Sequence, residues 1–430
     1  MHKWGIALLA GIALTASNHA AIAQIIGLEA PEATVPQRQS VLQQPRPDYD
    51  PVGARIGDFF LYPSSELEEF WDSNVFASES NAKGDFYTSA RPAVSLLSDW
   101  GSSALNFLAN GEIRRYADQV SENQTNYSLV TNGRLDILHG EYLSGAIGFQ
   151  NAHEDRESLS SVSTQTHPTE YQQTSGLLKF DRERGVLGLQ ANAGVDYYNY
   201  NDAFTNSGTL LRETDRNRIE IHGGPRLSYE IVPGYHAFIA GDANSRIYQS
   251  TFDSSGIKRS SHGFETDVGT AFQITPLITG EAFVGYLQQN YDDSQLSTIH
   301  SPGFGGNLLW NVTQATSIRA KVSRTVQEVD FFGNTAPETV TSFLETQAGI
   351  SVEQEVLRNV LLSGGASLTS DDFRGTSRTD NIAEGDLGLT YLLNRMWRAG
   401  LDVSYQSRTS NVSGVSYNRA LIGAKLRLQY

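Results

Sequence analysis

From Arg216 to Ile231 the chain sets a charged or hydrogen-bonding side chain at nearly every second position. Arg216, Arg218, Glu220, His222, Arg226, Ser228 and Glu230 alternate with Ile219, Ile221, Leu227, Tyr229 and Ile231. Guanidinium and carboxylate groups repeated along one face bind polar solutes and bias the passage of ions, which is the chemistry of a wetted channel wall. Comparable rows carry Arg319 and Lys321, Glu345 and Glu353, Asp386, Asp402, and Arg419, Lys425 and Arg427. Together these are the candidate lumen-lining residues. Tyrosines near segment ends, such as Tyr198 and Tyr248, could stack on sugars or form an interfacial aromatic girdle.

No catalytic constellation stands against this reading. The chain has no His-Glu-x-x-His, Gly-x-Ser-x-Gly, phosphate loop or dinucleotide fingerprint. Asn151-Ala152-His153 faintly echoes the surroundings of a serine hydrolase, but at a loop edge and without a partner, so a solvated polar pair is expected. Asp292-Asp293 and Asp371-Asp372 lack the alternating oxygen ligands of a calcium loop and read as ordinary loop acids. With no cysteine, thiolate, disulfide and cysteine-ligated metal chemistry are excluded. The expectation is a non-enzyme with no cofactor or metal.

The elements that position the rows follow from the same period. Gln190, Asn192 and Asp196 alternate with Leu189, Ala191, Ala193, Val195 and Tyr197, and Asp402, Ser404 and Gln406 with Leu401, Val403 and Tyr405. Period two with one apolar and one polar side is a strand between two solvents. Tight turns recur at Trp100-Gly101-Ser102, His139-Gly140, Arg182 to Gly185, Val232-Pro233-Gly234, Thr275-Pro276, Thr313 to Thr316, Val356 to Arg358 and Leu393-Asn394-Arg395. Longer polar stretches separate them, including Glu154 to Thr169, Asn201 to Asp215, Asp330 to Glu338 and Asp371 to Asp380. Short turn alternating with long loop predicts an all-β, transmembrane, antiparallel up-and-down β-barrel of about 18 strands over residues 58–430. Such a barrel is too wide for its own side chains to fill. Pro92 and Pro225 fall inside predicted strands, where a missing ladder donor predicts a bulge or irregular edge.

The last stretch, Tyr417 to Tyr430, has an apolar face of Ala420, Ile422, Ala424, Leu426, Leu428 and Tyr430 and ends on its aromatic. Leu426, Leu428 and Tyr430 resemble the C-terminal assembly signal of outer-membrane barrels. At the other end, Lys3, an apolar run from Gly5 to Thr15 and Ala21-Ile22-Ala23 predict a signal peptide over residues 1–23. Residues 24–57 carry five prolines and read as an extended periplasmic arm or linker. The net charge is −16, and −17 once Lys3 leaves with the signal peptide, which excludes nucleic acid as a partner. Pairing lumenal acids against lumenal bases suggests a nearly balanced wall with the excess acid at the outer mouth.

At the junction of arm and barrel the chain reads Arg46-Pro-Asp-Tyr-Asp-Pro-Val-Gly53, then Asp72-Ser-Asn-Val-Phe-Ala77. These runs, helped by Ser98-Asp99-Trp100 and Arg115-Tyr116, resemble the putative beta-barrel porin family of proteobacterial outer-membrane proteins. The resemblance implies a Gram-negative outer-membrane barrel with periplasmic termini, often associated with exopolysaccharide export, and it carries no catalytic residues. The partners it implies are outer-membrane lipid and lipopolysaccharide, the barrel-assembly machinery, and a polysaccharide cargo or periplasmic export partner. The readings open at this stage are a channel for hydrophilic solute, a structural or assembly protein with a plugged lumen, and an outer-membrane enzyme.

Overall fold

The computed structural model describes residues 39–161, 164–329 and 342–430. The proposed signal peptide, residues 24–38 of the arm and the loop read at Asp330 to Glu338 lie outside them. Eighteen long strands form one antiparallel sheet. The first nine are β1 (Phe59–Asp72), β2 (Asp85–Ser98), β3 (Ala104–Tyr116), β4 (Gln124–Leu138), β5 (Glu141–His153), β6 (Glu170–Arg184), β7 (Leu187–Tyr200), β8 (Arg218–Val232) and β9 (Tyr235–Tyr248). The rest are β10 (Ser261–Thr275), β11 (Ile278–Tyr291), β12 (Ile299–Thr313), β13 (Thr316–Glu328), β14 (Ser342–Leu357), β15 (Val360–Phe373), β16 (Thr379–Leu392), β17 (Trp397–Ser410) and β18 (Tyr417–Gln429). Each strand pairs with its sequence neighbours, and β18 pairs with β1 from Ser64↔Gln429 to Asp72↔Leu421, so the sheet closes without an edge.

The eight tight turns all join strands at one rim, and the longer connections of the described residues lie at the other. Side-chain alternation sorts the two faces. Leu67, Ile147, Leu178, Val284, Leu368 and Leu387 are exposed on the outside, the side that meets lipid. Aromatic pairs such as Trp71–Phe86 and Phe59–Trp100, at ring separations of 4.8 and 5.6 Å, stand near the two rims. Among the described residues the buried apolar side chains inside form small clusters at the long-loop end, such as Val75 with Tyr87 and Tyr116.

At both prolines the ladder is irregular, the second of the two expected forms, and no bulge accompanies it. Beside Pro92 the β2–β3 ladder lapses between Ala90↔Ile113 and Ala93↔Asn110, and beside Pro225 the β8–β9 ladder lapses between Gly223↔Ala243 and Arg226↔Ala240. The register is the same on both sides of each lapse. A missing donor needs only an unpaired step, and an added residue would have turned every following side chain to the wrong face. Bulges occur instead where strands enter tight turns, as between Asp136 and Leu138 and between Gln273 and Thr275.

The two motifs that carry the family resemblance fasten the barrel's seam. Asp72 takes both Arg419 nitrogens, Nη2 at 2.6 Å and Nε at 3.1 Å, tying the first strand to the last. Ser73 N donates to Ala420 O, and Asn74 Nδ2 donates to Asn418 O. In the other motif, Gly53 has φ +73° with the Tyr62 ring packed where a Cβ would stand, so no other residue fits without displacing that ring.

Candidate functional site

Contacts between strands that are not neighbours around the wall can only run through the interior. Arg226 of β8 binds Glu281 of β11 at 2.6 Å, and Arg246 of β9 binds Glu328 of β13 at 2.5 Å. These chords place the even-numbered face of β8 inside. Arg218 and Glu220 pair at 2.7 Å, and His222 stands 3.5 Å from Asp196. Glu230 lies near the short-turn rim. Elsewhere Arg319 meets Glu353 at 3.4 Å and Lys425 meets Asp402 at 2.8 Å. Arg427 donates to Ser64 Oγ, and Asp386 lies across Gly365. Lys321 is level with Asn307 and Gly349, and Glu345 with Asp371. Arg216 is not on a strand: it sits in a short 3-10 turn before β8. There its guanidinium joins Glu154 and Glu213, which hold it firmly in the charged form.

Two devices that no periodicity revealed occupy this lumen. The first is the β5–β6 loop. Glu154 is anchored to Arg216, and Arg156 to buried Glu122 at 2.7 Å. Beyond these anchors the loop turns inward. The Glu157 carboxylate binds Arg419, its carbonyl accepts from Arg408 Nη2, and Leu159 packs against Val329, Phe343 and Phe373 on the opposite wall. Under residues 155–160 lies a cavity of about 200 Å³ between Tyr171, Tyr198, Tyr200 and Tyr248 on one wall and Glu345, Asp371 and Glu384 on the other.

The second device is the arm. The described part of the segment expected to be a linker is docked. Val41 N donates to Ser317 Oγ, Leu42 N to Glu353, and the Arg46 guanidinium binds Glu355 at 2.9 Å. The chain then crosses to the turn before β17 and to β18, where Pro47 O and Tyr49 O accept from Arg395 and Gln429. All these partners lie at the short-turn end, so residues 39–50 run across that mouth.

The wall also carries acids that the sequence reading did not single out. Asp242 stands directly opposite Glu265, with Asp267 two residues along the same face, and none of the three has an ion pair within 4 Å among the described residues. Asp267 lies over Gly285 and Glu265 over Gly303, whose missing side chains leave room for them. The alternation of Glu265 and Asp267 with Phe264, Thr266 and Val268 was a readable signal for this patch. Asp371 also belongs to the lumen: it is on β15 rather than in a loop, while Asp372 faces out to Arg374. Asn151 and His153 serve as strand-end hydrogen-bonding groups toward Glu170 and Asn126. Asp293 accepts the backbone N–H of Lys258 and of Gln295, which lowers its pKa and joins two long loops.

A closed barrel with an apolar exterior and a charged, loop-narrowed interior defines a porin-like channel of the bacterial outer membrane. The family model described as "Putative beta-barrel porin 2" matches residues 46–430, and the chain belongs to that family. The match begins at Arg46, within the docked arm. No curated protein sequence matches the chain. Similar solved structures include the outer membrane protein OpdK of Pseudomonas aeruginosa, at 11% identity and TM-score 0.47 over 86% of this chain and 99% of that one. OpdO of the same organism gives 13%, 0.43, 86% and 96%. Its ferric enterobactin receptor PfeA gives 7%, 0.44, 86% and 80%.

The two faces of β8 give a local test. Ile221→Arg puts a charge toward lipid, which costs up to about 2–4 kcal/mol at the midplane and less toward a rim, and lowers the yield of assembled barrel. His222→Arg, one residue on, keeps its charge near Asp196 and is expected to assemble normally. Equal losses of heat-modifiable protein from both variants would contradict the assignment of faces.

Proposed function

We propose that the chain conducts hydrophilic solutes across the outer membrane through a lumen that is narrowed at rest. The observation that carries this reading is the charged interior wall with its partly enclosed cavity between tyrosines and acids. The short-turn rim, the arm and the C-terminus are periplasmic in this reading, and the long loops face outward. Outer-membrane lipid, lipopolysaccharide and the assembly machinery are its proposed surroundings. Polysaccharide export is the proposed setting, supported by the polar, aromatic-lined lumen; neither the matched family's description nor the similar structures carry that link. Reconstitution into planar bilayers tests the proposal: discrete conductance steps are expected. Their absence from both the native chain and a chain freed of its arm would favour the alternative, a structural protein with a plugged lumen.

The acidic patch sets the selectivity. Unpaired Asp242, Glu265 and Asp267 stand inside the wall, where salt screens them less than charges at an open mouth. Reversal potentials across a salt gradient are expected to show cation preference. Asp242→Asn, Glu265→Gln and Asp267→Asn together should remove most of it. Anion selectivity persisting in molar salt would show that the basic rows dominate.

A further inference from the structure

The cavity under residues 155–160 has an uneven allotment of partners. Glu345, Asp371 and Asp380 stand in one row across β14, β15 and β16, paired in register as Glu345↔Asp371 and Asp371↔Asp380. Asp380 is satisfied by Arg378 at 2.6 Å and by Ser410 Oγ at 2.6 Å. Glu384, also lining the cavity, accepts from Gln406 at 2.5 Å and Ser367 at 2.9 Å. Asp371 is different. It is 2% exposed, lines the cavity, and among the described residues no donor reaches its Oδ1. A carboxylate withdrawn from water without a donor is costly, and an entering cationic donor removes that cost.

Of the three positive charges lining the cavity, Arg216 and Arg218 are committed elsewhere, and Arg408 stands beyond ion-pairing distance of Asp371. Arg216 is bound by Glu154 and Glu213 and lies 4.0 Å from the Tyr200 ring centroid. Arg218 is bound by Glu220 and lies 4.3 Å from that of Tyr198. Arg408 donates to Glu157 O, stands over Tyr417, and makes no ion pair with Asp371. Size narrows the ligand further. The cavity of about 200 Å³ equals the liquid volume of roughly six or seven waters at about 30 Å³ each, room for one sugar ring and far more than a bare metal ion needs. No cluster of three metal-ligating side chains with metal-holding geometry exists among the described residues. The wall of Tyr171, Tyr198 and Tyr248 faces the acids and, with Arg218 over Tyr198 and Tyr248, offers hydroxyl groups and a partly covered aromatic surface.

We infer that this cavity is a binding site for an amino-bearing saccharide unit, its protonated amine held by Asp371 and its ring set against the tyrosine wall. The inference rests on the channel reading, because the cavity lies in the conduction path. It is tested by isothermal titration of the detergent-solubilised full chain at pH 6.5 with glucosamine and with N-acetylglucosamine, in which acetylation removes the charge. Glucosamine is expected to bind at least about tenfold more tightly, as expected for losing one charge-assisted hydrogen bond. Asp371→Asn should erase that difference, and Asp136→Asn, a lumenal acid at the short-turn end, should leave it intact. Equal binding of the two sugars by the native chain would overturn the inference without any variant being needed. So would retained discrimination in a folded Asp371→Asn protein, or calcium chloride displacing glucosamine through Asp371. Conductance is read separately in bilayers. Asp371-dependent binding without current upholds the site and refutes the channel, whereas current without amine discrimination upholds the channel and refutes the site.

Discussion

An exported chain lacking residues 39–53 conducts several-fold more current per channel than the full chain. The arm is the reason: it crosses the short-turn mouth and binds β12, β13 and β14 on one side and β18 and the turn before β17 on the other. Arg46 is its fastener. Its guanidinium is 7% exposed, donates to Val41 O at 2.8 Å and Gln44 O at 3.0 Å, and binds Glu355. Removing one partner of such a buried pair costs about 3–5 kcal/mol. Arg46→Ala alone should therefore approach the conductance of the deletion. Arg55→Ala is the matched control, since the Arg55–Asp99 pair is 62% and 50% exposed and worth about 0–1 kcal/mol. Single-channel recordings in which native, deleted and Arg46→Ala chains carry the same current would show that the arm does not limit flow.

Leu428→Asp combined with Tyr430→Asp abolishes the assembled barrel. Both side chains face outward, at 39% and 52% exposure, on the strand that closes the sheet. The β18–β1 ladder is short, from Ser64 to Asp72, with one further bond from Tyr430 N to Pro63 O at 3.1 Å. Two carboxylates at this junction put charge toward lipid where few backbone bonds hold the seam. Arg427→Asn, the residue before Leu428 but facing the lumen, should assemble. Normal amounts of heat-modifiable double variant in outer membranes would remove the terminal strand from its role in closure.

The barrel was readable because it is made of local signals. Period two in segments such as Leu187 to Tyr197, and the alternation of Pro233-Gly234 type turns with polar loops, each need only neighbouring residues. The strand ends were less readable. The strands are 13 to 16 residues long, whereas about 9–11 tilted residues cross a bilayer. Their surplus turns stand in water, lose the apolar face and look like loop, which is why Asp371 was placed off its strand. The inward loop and docked arm were illegible for another reason. Leu159 against Phe343 and Arg46 against Glu355 are pairings between distant segments with no shared pattern, and nothing in either segment names its partner.

The fastening of the β5–β6 loop also orders events in time. Glu157 is joined to Arg408 and Arg419, 251 and 262 residues further along the chain, and Arg419 belongs to the strand that completes the ring. Contacts of such separation form last, after the intervening chain has found its place. A nascent barrel thus passes through a stage in which its circumference is incomplete and this loop hangs unsecured. Protease cutting within residues 154–161 is therefore expected to distinguish unfinished molecules from mature ones.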